Sequence, residues 1–229
     1  MRTLLVGDIH GCATALEAIV ALAKPDRLVL LGDLFTKGPD PLGVWERIVD
    51  WKPEAVLGNH DAKMLRVWGS EAQGRAEETC RKLPDEARGW LATLPTVIEG
   101  THQGVGWIAV HGGLDPVLGA EGTESSRRYL MRRWPNDADL QNPFWWQLWS
   151  RPEHVFYGHD AFRGLQAHPR TTGLDTGCCY GNALTAYLLE ERKLFQVRPD
   201  GTPIHPIELF WMDGSTAERT TITFARSPS

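Results

Sequence analysis

Residues 27–38 read RLVLLGDLFTKG: an apolar run, Leu28 to Leu31, that passes straight into Gly32, Asp33 and a tight turn holding Thr36, Lys37 and Gly38. Apolar runs of this length without alternation predict a strand buried on both faces. An aspartate directly after such a run is an unusual way to leave a core. The same arrangement recurs in TLLVGDIH (3–10), EAVLGNHD (54–61), GWIAVHGG (106–113) and HVFYGHD (154–160). Each is a short apolar stretch ending in glycine and in side chains able to bind a metal.

The segments between the first three runs are predicted helical, about 12–24 and 41–51, the second with Asp40 as N-cap and Pro41 at the first helical position. Strand–helix–strand alternation predicts right-handed crossovers and a largely parallel sheet. The ligand site of such a sheet gathers at the carboxyl ends of the strands, where the polar clusters fall. Residues 62–94 are expected to be a helical insertion beside the site, and 120–152 an irregular segment with Trp134, Trp145, Trp146 and Trp149. LTAYLLEERKLFQV (184–197) predicts a strand hairpin and TTITFA (220–225) a late strand. No linker interrupts the pattern, so one domain over 1–229 is expected.

The chain has 229 residues, 42% hydrophobic and 23% charged, with a formal net charge of −5. That balance weighs against a sequence-independent nucleic-acid binder, which needs a basic stripe facing phosphates. Cys12, Cys80, Cys178 and Cys179 form no CxxC pair and are read as small buried residues in a reducing compartment. The start, MRTLLVGDIHG, is too soon charged for a signal peptide, and no apolar stretch is long enough to span a bilayer. The expectation is a cytoplasmic protein without a membrane or nucleic-acid partner.

Singly, each polar cluster is weak: an aspartate at a strand end is more often a turn residue, and a lone histidine more often structural. Together, Asp8, His10, Asp33, Asn59, His111 and His159 supply carboxylate, imidazole and amide oxygen. That mixture suits two divalent ions, Mn²⁺ preferred, with Fe²⁺, Co²⁺ or Zn²⁺ as alternatives.

GDIHG (7–11), GDLFTKG (32–38), GNHD (58–61), HGG (111–113) and GH (158–159) stand in the order and spacing of the phosphoprotein-phosphatase-type, calcineurin-like metallophosphoesterases. The resemblance covers about residues 4–180. GNHD, KGPD (37–40) and GLDTGCCYGNALTA (173–186) make the chain most similar to the bacterial symmetrical diadenosine-tetraphosphatase-like branch. The resemblance implies an α/β fold, a sandwich of two mixed β-sheets flanked by helices (α/β/β/α) with a small helical insertion. It implies that Asp8, His10 and His159 hold one ion, Asn59 and His111 the other, and that Asp33 bridges them. The bridge also suits the chemistry, because the two oxygens of one carboxylate can tie together cations about 3.5 Å apart.

His60 resembles the family's non-ligand histidine, which protonates the leaving group. RRYLMRR (127–133) resembles the segment carrying a phosphate-gripping arginine, and Arg132 is the preferred match. Asp175 is read as a turn residue supporting the ligands, and the tryptophans as packing more often than as adenine platforms.

Where related protein phosphatases have GDxxDRG, Thr36 and Lys37 replace the aspartate that orients the catalytic histidine and the arginine that grips phosphate. A poorly held His60 is tolerable when the leaving group is ADP and costly when it is an alkoxide. Lys37 offers a compact charge for a flexible polyphosphate. The implied activity is symmetrical hydrolysis of diadenosine tetraphosphate to two ADP by a metal-bridging hydroxide. The alternative is a serine/threonine or dual-specificity protein phosphatase, its phosphoprotein substrate using the same ions. A nuclease or lipid-precursor pyrophosphatase, and a metal-free binding module, fit less well.

Overall fold

The computed structural model describes residues 1–205 and Ile207. The predicted strand at 220–225 lies outside them. The first sheet takes its strands from both ends of this stretch: β1 (Thr3–Val6), β2 (Arg27–Leu30) and β3 (Glu54–Ala55), then β9 (Leu184–Leu188) and β10 (Lys193–Val197), in the order β10-β9-β1-β2-β3. The second sheet contains β4 (Val97–His102), β5 (Val105–Val110), β6 (His154–Tyr157), β7 (Gln166–Ala167) and β8 (Thr171–Gly173), in the order β4-β5-β6-β8-β7.

The strands bearing the motifs run parallel, β1 with β2, β2 with β3, and β5 with β6. Antiparallel hairpins extend both sheets, so each is mixed where the alternation of strands and helices alone predicted a largely parallel one. The physical reason is connection length: β9 and β10 are joined by a few residues, too few for a parallel crossover.

Successive side chains of β1 point to opposite faces of the sheet. Leu4 and Val6 pack with Leu16 and Ile19 of α1 (Ala13–Ala23) and with Val44 and Ile48 of α2 (Pro41–Trp51). Leu5 packs the other way, with Val29 and Leu31, against Trp107, Ala109 and Phe156 of the second sheet. A third core covers that sheet's outer face, where Ile108, Val110 and Val155 meet Met131, Trp145 and Trp149. Three cores therefore separate four layers, the expected α/β/β/α sandwich. Asp40 caps α2 as predicted, its carboxylate accepting from Gly43 N at 2.8 Å.

The insertion comprises α3 (Asn59–Val67), α4 (Arg75–Cys80) and α5 (Asp85–Leu91). It starts earlier than the sequence suggested, because Asp61 accepts from Gly58 N at 3.0 Å and closes the first turn around Asn59 and His60. The outer layer holds the short helices α6 (Gly119–Gly122), α7 (Ser125–Leu130) and α8 (Trp145–Leu148). Among the described residues, no helix is long and apolar enough to cross a membrane.

Candidate metal centre

Five strand ends converge. Asp8 and His10 follow β1, Asp33 follows β2, Asn59 and His60 open α3 just after β3, His111 follows β5, and His159 follows β6. Parallel pairing places these ends on one edge of the sandwich. Three of the residues adopt left-handed backbone, His10 at φ 48°, Asp33 at 53° and His159 at 71°. Non-glycine residues rarely do so, and such conformations gather at functional sites. Close approach explains two of the motif glycines. A Cβ on Gly58 would collide with the backbone of Asp33, and one on Gly158 with Asp8 Oδ1.

Asp33 is the centre of the arrangement. Its Oδ2 lies 3.5 Å from His10 Nε2 and 4.0 Å from His60 Nε2, whereas its Oδ1 lies 3.5 Å from His111 Nε2. The two oxygens thus face two sets of donors. Asp33 is also the member shared by two groups with metal-binding geometry, His10–Asp33–His60 and Asp8–Asp33–His111.

The histidines are oriented by their second ring nitrogens. His111 Nδ1 lies 2.7 Å from Leu31 O and His159 Nε2 lies 3.1 Å from Leu130 O, so each donates there and turns its other nitrogen inward. His10 Nδ1 is 3.2 Å from Thr36 Oγ1. Anchoring the far nitrogen in this way is what metal-ligating histidines require. The Thr36 hydroxyl thus pairs with His10, a predicted ligand, in keeping with the expectation that it gives the ring of His60 no support.

The ring of His159 departs from its expected set as well. Its Nδ1 lies 2.8 Å from Asn59 Oδ1, and His111 Nε2 lies 3.0 Å from the same oxygen. The geometry therefore groups His159 with Asn59 and His111, leaving Asp8 and His10 as a pair on the other side of Asp33. The link from His159 to Asp8 runs through the backbone, His159 N donating to Asp8 Oδ1 at 3.1 Å.

These residues fit divalent cations. Asp8 Oδ2 is buried without a hydrogen-bond partner, 3.8 Å from His10 Nε2. Burial, reinforced by the charges of Asp175 and Asp33, pushes Asp8 well above the usual carboxylate range. Burial also works against His111, yet Asp33 and Asp8 raise it to about 10. Both shifts register a pocket of negative charge that a cation would relieve. Burial lowers His10 to about 3 and His159 well below the ordinary imidazole value, which leaves both rings neutral and able to act as ligands.

Asp61, given no role from the sequence, holds the site together. It is fully buried and accepts from Asp33 N at 2.7 Å, Leu34 N at 3.0 Å and Gly58 N at 3.0 Å. An acid three residues after a helix N-cap is a capping signature that could have revealed it. Asp175 does brace a turn, accepting from Gly177 N at 3.1 Å. Trp145 is packing, buried with its Nε1 donating to Gly112 O at 3.0 Å.

Two cations reach the centre. Lys37 Nζ lies 2.9 Å from His10 Nε2. Arg132 Nη2 donates to His159 O at 3.1 Å while its Nε lies 3.7 Å from Asp160. The neighbouring arginines are engaged elsewhere. Arg128 donates to Thr123 O, Thr96 Oγ1 and Ala120 O, Arg127 to Pro135 O, and Arg133 to Asn142 O. Arg132, with a side chain 41% exposed, is the one set beside a predicted ligand. Arg132→Ala should raise KM for a phosphorylated substrate by about 10-fold or more, since hydrogen bonds to charged groups contribute about 1.5–3 kcal/mol. Melting should change little; an unaltered KM in steady-state kinetics would remove Arg132 from the site.

The profile of the family described as calcineurin-like phosphoesterase matches residues 1–194. The chain belongs to the calcineurin-like phosphoesterases. This phosphoesterase is 28% identical over 278 aligned residues to a symmetrical bis(5'-nucleosyl)-tetraphosphatase of Methylobacillus flagellatus, covering 91% of this chain and 97% of the relative. It is 27% identical to the protein of the same description from Aromatoleum aromaticum, covering 86% and 97%. A crystal structure described as a candidate diadenosine tetraphosphatase superposes with a TM-score of 0.78 at 31% identity, over 86% of this chain and 92% of that one. The phosphoesterase is accordingly a hydrolase of a metal-dependent family, and its His/Asp cluster has groups that could hold a metal ion.

Proposed function

We propose that this phosphoesterase hydrolyses diadenosine tetraphosphate symmetrically, adding one water to yield two ADP. The observation that carries the reading is the pair of faces on Asp33, each turned to its own donors, with Lys37 beside His10 and Arg132 beside His159. The match to symmetrical tetraphosphatases over 97% of their length supports it. Asp8, His10, Asp33, Asn59, His111 and His159 would hold two divalent ions, Mn²⁺ preferred. Bound there, the ions supply a water acidified to near neutral pH and neutralise charge on the phosphoryl oxygens.

The protein's own groups do the rest. Lys37 and Arg132 grip the phosphates flanking the scissile bond, one as a point charge and one as a fork. His60, its side chain 30% exposed at the rim, stands where a departing oxygen can take a proton. Among the described residues, the carboxylate paired with its ring is Asp33, at 4.0 Å. That loose hold suits ADP, which leaves as a stabilised anion, better than an alkoxide. Thr36, whose hydroxyl turns to His10, adds nothing to that hold. The protein-phosphatase reading shares the ions and differs in the leaving group, so substrate preference separates the two.

With Mn²⁺ present, turnover of diadenosine tetraphosphate should exceed that of a phosphoserine peptide, and chromatography should show ADP as the sole product. Preference for the peptide would overturn the anhydride assignment. ATP plus AMP would overturn its symmetry.

A further inference from the structure

A dinucleoside tetraphosphate carries a base at each end, and the aromatic residues differ in what already covers them. Trp145 and Trp149 lie in the core of the outer layer. The indole of Trp146 is stacked on Phe144 and on His168, with ring centroids 5.3 and 4.4 Å away. Phe144 in turn carries the guanidinium groups of Arg133 and Arg163, at 4.2 and 4.3 Å.

Tyr180 differs from all of these. It is 46% exposed and ends the 3₁₀ turn Cys178–Tyr180, directly after the turn braced by Asp175. Lys37 Nζ lies over its ring, 5.4 Å from the centroid, and the same ammonium is 2.9 Å from His10 Nε2. One cation therefore connects a ligand of the candidate centre to an open aromatic ring. After Tyr180 the chain turns away through Gly181, at φ 93° with open space around it.

We infer that Tyr180 is the platform on which one nucleobase of the substrate stacks, with Lys37 holding the adjoining phosphate. The inference rests on the dinucleotide reading above and adds a specificity. Stacking uses the π-face that every base has, so the site takes dinucleoside polyphosphates as a class and discriminates weakly among bases. The cation beside the ring strengthens the platform further.

Equilibrium binding tests this without turnover. The probes are the methylene-bridged, non-hydrolysable analogue of diadenosine tetraphosphate and inorganic tripolyphosphate, each titrated calorimetrically into the Mn²⁺-loaded protein. Tyr180→Ala should weaken the analogue at least about fivefold, the lower end of what one stacked base contributes. It should leave tripolyphosphate within about twofold, which also shows that the variant is folded and its phosphate site intact. Tyr180→Phe should bind the analogue nearly as tightly as the parent protein. Equal losses for both probes, no loss for the analogue, or a Tyr180→Phe variant as weak as Tyr180→Ala would each overturn the platform. A parent protein that fails to hydrolyse diadenosine tetraphosphate would instead overturn the proposed activity, so the two failures are distinguishable.

Discussion

Asp33→Asn should lower kcat/KM for diadenosine tetraphosphate by about 10³-fold or more and reduce bound metal below two ions per chain. The substitution is nearly isosteric. The amide it introduces would keep an oxygen to accept from His60 N, which Asp33 Oδ1 now does at 2.8 Å. What disappears is the charge that faces His10 on one side and His111 on the other. Losing the shared anionic ligand weakens both halves of the site and removes several kcal/mol of electrostatic stabilisation, each 1.36 kcal/mol being about tenfold in rate. His111 also depends on it, because Asp33 is the main influence raising that ring against burial. Metal content by mass spectrometry, circular dichroism and steady-state rates form the check. Two tightly bound ions in an active Asp33→Asn variant would remove the bridging assignment.

Asp61→Ala should destabilise the protein by about 3–5 kcal/mol and reduce activity at the same time. Three backbone N–H groups lose the buried carboxylate that accepts from them, and each unsatisfied buried donor costs about 1–3 kcal/mol. Relaxation of the two loops recovers part of that sum. A loss of this size lowers the melting temperature by roughly 10 °C in a chain of this length. The groups left open are the amides of Asp33, Leu34 and Gly58, which set the position of Asp33 and the start of α3. Asp61→Asn, which keeps one carbonyl oxygen, should fall between the two proteins. Denaturant titrations and metal affinity provide the readout; a variant as stable as the parent would show that the loops find other acceptors.

Much of the site was legible in the chain because its residues are local to their motifs. Asp8, His10, Asp33, Asn59, His111 and His159 each follow a strand, and parallel pairing of β1 with β2, of β2 with β3, and of β5 with β6 brings the ends together. The hairpin of β9 and β10 and the cap of α2 were legible for the same reason, since both are set by neighbours in sequence.

Pairings between motifs were not legible. The ring of His159 belongs with Asn59 and His111, and Thr36 with His10, because side-chain direction depends on left-handed backbone at His10 and His159 that no motif announces. Asp61 looked like the tail of GNHD until three amides from two loops were seen to point at it. Arg132 stood apart from Arg127, Arg128 and Arg133 once packing had occupied the others.

Periodicity and motif order therefore carry the chemistry of this protein: which elements form, which residue types end them, and that those ends can bind metal. Those properties follow from local backbone preference and from the identity of side chains. Which nitrogen faces which oxygen, which arginine is set beside His159, and that Tyr180 lies open beside Lys37 follow from packing between segments far apart in the chain. Such contacts arise from competition among all the buried groups at once, and they take shape when the two sheets close on each other.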